Sequence, residues 1–135
     1  MKVTSKQKNA KIKMEQKGYK IIQSKNIYNS EMGRSAVAKV RAEEINSMFE
    51  DENINYIICA AGGEFLVECL PFIDFDKLTK KPKFVQGFSD PTGILFQITT
   101  QYDIATIYGM NFGDYGTESY SRDITDNLKI ISGDL

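Results

Sequence analysis

Tyr56-Ile57-Ile58-Cys59-Ala60-Ala61-Gly62-Gly63 is a continuous apolar run closed by two glycines, and its reading decides the fold. A strand with one wet face alternates apolar and polar residues. An unbroken apolar run of this length fits a strand covered on both faces, which is the habit of parallel sheets. Outward from it the same punctuation recurs. Lys83-Phe84-Val85-Gln86 predicts a strand ending at Gly87, and Ile104-Ala105-Thr106-Ile107-Tyr108 predicts one ending at Gly109. Tyr19-Lys20-Ile21-Ile22 predicts another, behind a helix that Gly18 stops.

Helical patterns fill the intervals. Ser35 to Glu50 carries Ala38, Ala42, Ile45 and Phe49 on one stripe. A short helical segment runs from Glu64 to about Leu70 and is stopped by Pro71; others span Pro91 to about Thr100 and Ile124 to Ile131. Strands alternating with helices predict βαβ units, right-handed crossovers and a three-layer α/β domain with a parallel sheet, of the Rossmann or flavodoxin kind. With no internal repeat and no linker, residues 1–135 read as a single domain.

Composition narrows the function classes. The 135 residues include 17 Lys+Arg against 18 Asp+Glu, a formal net charge of -1, with 41% hydrophobic and 26% charged residues. That is a folded domain, not a disordered chain, and its balance gives no reason to expect a nucleic-acid or membrane-surface partner. Lys2, Lys6, Lys8, Lys11, Lys13, Lys17, Lys20 and Lys25 face only Glu15, but they surround Ala10 and Met14 as the solvated face of a helix. No apolar run approaches the ~18–20 residues that span a bilayer, so the expected compartment is the cytoplasm. Cys59 and Cys69 make neither a disulfide framework nor a zinc site and are expected to be buried, inert thiols. There are 0 His, so these residues alone cannot complete a Ser-His-Asp or Cys-His site, and no imidazole can hold a metal.

In a parallel sheet, ligands bind beyond the carboxyl ends of the strands. Three such ends carry unusual residues: Gly62-Gly63, Gly87-Phe88-Ser89-Asp90 and Gly109-Met110-Asn111-Phe112. Gly87-Phe88-Ser89-Asp90-Pro91 joins a strand to a helix through a sharp turn, where a nucleophile elbow exposes its serine. Ser-Asp-Pro is equally an ordinary helix cap, and Pro91 stands where G-x-S-x-G would place its last glycine. Gly62-Gly63 lets a ligand approach bare amides or merely makes a tight turn; without a following phosphate fingerprint it implies no nucleotide cofactor. Asp74 and Asp76 read as turn and helix caps rather than as a metal pair.

The motifs in combination resemble one family. Ser35-Ala36, Arg41-Ala42 and Phe49 are followed by Ile57-Ile58-Cys59-Ala60-Ala61-Gly62-Gly63-Glu64-Phe65 and Leu70-Pro71-Phe72-Ile73-Asp74-Phe75. Then come Lys81-Pro82-Lys83-Phe84-Val85-Gln86-Gly87-Phe88-Ser89-Asp90-Pro91-Thr92 and Asp103 to Gly109. From about Gly18 onward this resembles the LD-carboxypeptidase and microcin C self-immunity family of serine peptidases. The resemblance implies a cytoplasmic, typically homodimeric enzyme without a cofactor. It would cleave amide bonds of murein peptides or peptide-nucleotide antibiotics with a Ser-Glu-His triad.

Ser89 would be the nucleophile, and the backbone N–H groups of Asp90 and of Gly62 or Gly63 would form the oxyanion hole. Glu64, Tyr108 and Asn111 would neighbour the substrate. The family's Glu and His belong to a C-terminal domain outside these residues, and its opening strand is also missing. The resemblance therefore implies an N-terminal portion that is inactive alone, with truncated edges prone to self-association.

Overall fold

The run that begins at Tyr56 forms strand β1 (Tyr56–Ile58). It pairs in parallel with β2 (Phe84–Gly87), in the register Tyr56 with Phe84 and Ile58 with Gln86. β2 pairs in parallel with β3 (Ile107–Tyr108), Gly87 facing Tyr108, so the sheet order is β1-β2-β3. The computed structural model describes residues 5–134; Lys2 of the lysine-rich stretch lies outside them.

Helices cover both faces. Ile57 and Val85 pack into a core with α2 (Ala38–Glu50), α3 (Asp76–Lys80) and α4 (Thr92–Tyr102), built on Ala42, Phe49, Leu78, Ile94 and Ile98. Ile58, one residue along and therefore on the opposite face, packs with α1 (Ser5–Gln16) and α5 (Arg122–Ser132) through Ala10, Met14, Tyr115 and Ile124. The expected three-layer parallel α/β architecture is therefore present. Ala38, Ala42, Ile45 and Phe49 do share one apolar side, all four lying in or against the first core.

Several boundaries differ from the sequence expectation, each for a physical reason. Residues 19–22 form no strand, because no described strand pairs with them. β1 stops at Ile58 rather than Ala61. The Phe112 N–H takes the Cys59 carbonyl (2.8 Å) and the Gly113 N–H takes that of Ala60 (3.2 Å). α2 begins at Ala38, not Ser35, because a tight turn precedes it. Met32 and Gly33 both have positive φ (47° and 81°), and Glu31 and Arg34 exchange two backbone hydrogen bonds across them. The segment after Gly63 is a 3-10 helix, Leu66–Phe72, that includes Pro71 instead of ending before it. A second 3-10 helix, Phe112–Gly116, had no periodic signal.

The lysines of α1 do more than solvate it. Lys13 and Lys17 lie over the Tyr120 ring, 5.2 and 5.7 Å from its centroid, and the Lys13 ammonium donates to the Thr117 carbonyl. Asp76 opens α3, and among the described residues neither it nor Asp74 joins a cluster able to hold a metal.

α1 is seated on the second 3-10 helix at very short range. A Cβ on Gly116 would fall 2.0 Å from the Lys6 carbonyl oxygen and 2.9 Å from the Ala10 nitrogen, both backbone atoms. Gly93, near the start of α4, has only Leu70 Cδ1 at 3.8 Å. Gly116→Ala should therefore destabilise the fold by about 1–3 kcal/mol. Gly93→Ala should be neutral or stabilising by about 0.5 kcal/mol. Urea midpoints of the two variants check this; equal midpoints would mean that α1 is not held against Gly116.

Candidate active site

β2 delivers the elbow. After Gly87 the chain turns through Phe88 and Ser89 into α4, and Ser89 has φ +66°, a left-handed conformation rare for a residue with a Cβ. The Thr92 N–H (2.9 Å) and hydroxyl (2.5 Å) both donate to the Ser89 carbonyl and hold the turn. Gly87 is obligatory here, since a Cβ would lie 2.7 Å from Pro91 Cβ and 3.1 Å from Cys59 Cβ. Ser89 is exposed, and its hydroxyl makes no hydrogen bond among the described residues. A capping serine would spend that hydroxyl on a helix amide. The Ser89 hydroxyl is therefore not spent as a helix cap among the described residues.

The Gly62-Gly63 turn lies against this serine. A Cβ on Gly62 would meet Ser89 Cβ at 3.3 Å and Oγ at 3.4 Å, and one on Gly63 would meet Asp90 Oδ2 at 3.1 Å. Asp90 ties the two turns together: its carboxylate accepts the Phe65 N–H (3.2 Å) and the Leu66 N–H (3.0 Å), the first amides of the 3-10 helix after the glycines. Ser89, Asp90, Gly62 and Gly63 are thus brought together.

The other candidates take different places. Asn111 is buried, 5% exposed, and its amide grips the elbow from behind. Its Oδ1 accepts the Phe88 N–H and its Nδ2 donates to the Phe88 carbonyl, both at 3.3 Å. Its side chain thereby fills a structural role. Tyr108 is 70% exposed at the end of β3, beside Gly87, and Glu64 is exposed at the rim next to Gly63. Burial pushes the Cys59 thiol up to about 12, with the Asp90 carboxylate adding to the shift, and burial also raises the Cys69 thiol. Neither supplies a thiolate at neutral pH.

Two features carried no sequence signal. Arg34 forms a two-pronged ion pair with Glu68 (2.9 and 2.6 Å) while its guanidinium lies 3.6 Å from the Phe65 ring centroid. Arg41 adds hydrogen bonds to Glu68 (3.2 Å) and to the Phe65 carbonyl (3.1 Å). Beneath the elbow the buried Gln86 side chain accepts from the Tyr56 hydroxyl (2.6 Å) and donates to Tyr115 (2.8 Å) and to the Met110 carbonyl (2.6 Å). Burial pushes the Tyr115 phenol up to about 12, so it keeps its proton.

The comparisons with known proteins concern the whole chain. Residues 2–109 match the family described as the LD-carboxypeptidase N-terminal domain. The chain belongs to that family. It is 32% identical over 96 residues to the microcin C7 self-immunity protein MccF of Escherichia coli, which covers 71% of this chain and 28% of MccF. Solved structures of MccF superpose with a TM-score of 0.86 at 29% identity, covering 93% of this chain and 38% of theirs; one of them holds aspartyl sulfamoyl adenosine. A MccF-like protein from Bacillus anthracis superposes with a TM-score of 0.84 at 25% identity, over 93% of this chain and 38% of that one. The chain thus spans well under half the length of these relatives. Among the described residues no helix is long and apolar enough to cross a membrane.

The strain at Ser89 is testable without any substrate. Ser89→Gly removes the Cβ that disfavours φ +66°, whereas Ser89→Ala keeps it. The glycine variant should be the more stable of the two by about 1 kcal/mol. Paired urea titrations measure the difference, and an alanine variant at least as stable would argue against a left-handed elbow.

Proposed function

We propose that these residues are the nucleophile-bearing part of a serine carboxypeptidase, with Ser89 as the attacking residue. The observation that carries the reading is the Ser89 hydroxyl, exposed at φ +66° against Gly62 and unspent on any helix amide. In the reaction, Ser89 Oγ gives its proton to a base and bonds to the carbonyl carbon of the scissile amide. The carbonyl oxygen becomes an oxyanion facing the backbone N–H groups of Asp90 and of Gly62 or Gly63. The C–N bond then breaks, the leaving amine takes the proton from the base, and water hydrolyses the acyl-serine.

The base is not among these residues, which include 0 His. We place the Glu and His of a Ser-Glu-His triad in a C-terminal domain, in keeping with relatives that extend far beyond the matched region. The substrate is an amide bonded near a free carboxylate. MccF binds aspartyl sulfamoyl adenosine, and a Bacillus subtilis relative, 30% identical over 69 residues, is named a probable murein peptide carboxypeptidase. Glu64 and Tyr108, exposed at the rim, are placed to meet such a substrate, in a cytoplasmic enzyme that needs no cofactor.

Residues 1–135 alone should show no useful turnover, because a serine without its base keeps only the ~10³–10⁴-fold advantage over water that binding and the oxyanion hole supply. A fluorophosphonate should label Ser89 of the isolated chain far more slowly than when a family C-terminal domain is supplied in frame, and should not label Ser89→Ala in either setting. Fast labelling of the isolated chain would place a base within it. Undiminished amide cleavage by the Ser89→Ala fusion would remove Ser89 from the chemistry and leave a binding domain as the better description.

A further inference from the structure

Gly62 and Gly63 lie outside any helix or strand, and the segment that follows them is a 3-10 helix, whose hydrogen bonds are poorer than those of an α-helix. Holding this turn against Ser89 therefore falls to side chains, and they converge on Phe65, two residues past Gly63. Its N–H donates to Asp90, and its carbonyl accepts an Arg41 Nη2–H (3.1 Å). The Arg34 guanidinium lies 3.6 Å from its ring centroid, and a Cβ on Gly33 would fall 3.0 Å from Phe65 Cε2. Asp90 belongs to the elbow itself and Arg34 to the tight turn before α2. Of these three holds, Arg41 alone stands on a long helix, α2, whose Ala42 and Phe49 are buried in the first core.

Arg41 is poorly explained as a stabilising ion pair. Its side chain is only 12% exposed, beside the apolar stripe of α2. Its Nε is buried and has no hydrogen-bond partner among the described residues, and a buried donor left unpaired costs stability. Glu68 does not need it, because Arg34 already meets both carboxylate oxygens. Nor does the Phe65 carbonyl need it, since that oxygen also accepts the Glu68 N–H (3.3 Å) in the first turn of the 3-10 helix. What Arg41 adds is a charge-assisted tie from the scaffold to the chain just past Gly63.

We propose that Arg41 is a positioning residue: acting through the Phe65 carbonyl, it fixes the Gly62-Gly63 turn at the distance from Ser89 that the oxyanion donors require. The inference rests on the role proposed above for Ser89 and those donors. Donors held in place act at full strength, and a small displacement of the turn weakens them without unfolding anything.

Arg41→Met keeps the aliphatic stem and leaves Glu68 paired with Arg34, so the urea midpoint of residues 1–135 should hardly change. Hydrogen exchange at the Phe65 and Leu66 amides should nevertheless speed up by about tenfold, with α4 unchanged. In the fusion that carries a family C-terminal domain, the maximal rate of Ser89 labelling by a fluorophosphonate should fall by about tenfold or more, at an unchanged half-saturating concentration. Arg41→Lys, which keeps a cationic donor for the carbonyl, should recover most of that rate. Unaltered exchange at Phe65 and Leu66 overturns the proposal, as does an unaltered labelling rate. So does a fallen urea midpoint with faster exchange throughout the core, the mark of a merely structural residue. A wild-type fusion that labels no faster than the isolated chain counts against the reading of Ser89 instead, and the exchange rates then decide alone for or against Arg41.

Discussion

The mouth of this sheet depends on one side chain. Asn111 holds both peptide groups of Phe88, and the next residue, Phe112, takes the Cys59 carbonyl. In a continuing parallel ladder the Phe88 N–H and the Cys59 carbonyl would have bonded each other. Residues 111–112 stand in place of that bond, so β1 and β2 separate above Ile58 and Gln86. Without that separation Gly62 and Ser89 would be parts of two paired strands. With it they become facing turns, and the Ser89 hydroxyl points into space that a ligand can enter.

What keeps Asn111 in place lies one layer down. Asn127 of α5 accepts the Met110 N–H at 2.7 Å, and Gln86 donates to the Met110 carbonyl, so the residue before Asn111 is fixed at both of its peptide groups. Gln86 is wholly buried, and Tyr56, Tyr115 and Met110 between them use its carbonyl oxygen and its amide protons. A buried amide left half-satisfied would cost more than an apolar residue in the same place. The satisfied network gives the elbow a rigid floor, which a site built at loop tips otherwise lacks.

How far this was legible from sequence follows from which signals are local. The apolar run at Tyr56, the strand ending at Gly87 and the stripe Ala38-Ala42-Ile45-Phe49 are short-range patterns, and each yields its element. Glycine-rich strand ends likewise marked Gly62, Gly63 and Ser89 as neighbours. Where the reading fails, a distant residue intervenes. The end of β1 is decided by Phe112 and Gly113, more than fifty positions away. Asn111 was given as a substrate neighbour on the family resemblance. That it turns back onto Phe88 is a tertiary fact, as is the Arg34–Glu68–Arg41 cluster. Patterns with periods of two or 3.6 residues report which face is apolar; they carry no information about which polar group will meet which.

Asp90 shows how the site reconciles two opposed electrostatic demands. On the proposed reaction its backbone N–H faces an oxyanion, so its carboxylate, attached to the same residue, brings a second negative charge close to the developing one. Left free, that charge would raise the barrier the N–H lowers. Here the Phe65 and Leu66 N–H groups, at the start of the Leu66–Phe72 helix, both donate to Asp90 Oδ2 and offset part of its charge. The same two bonds hold the chain that leaves Gly63. The residue that could have spoiled the proposed oxyanion hole therefore ties together the two turns that would form it. An uncharged residue would relieve the repulsion but leave the Phe65 and Leu66 amides without their acceptor. Positioning outweighs repulsion here, since donors held at fixed distance act at full strength, and a loosened turn loses that advantage for both donors together.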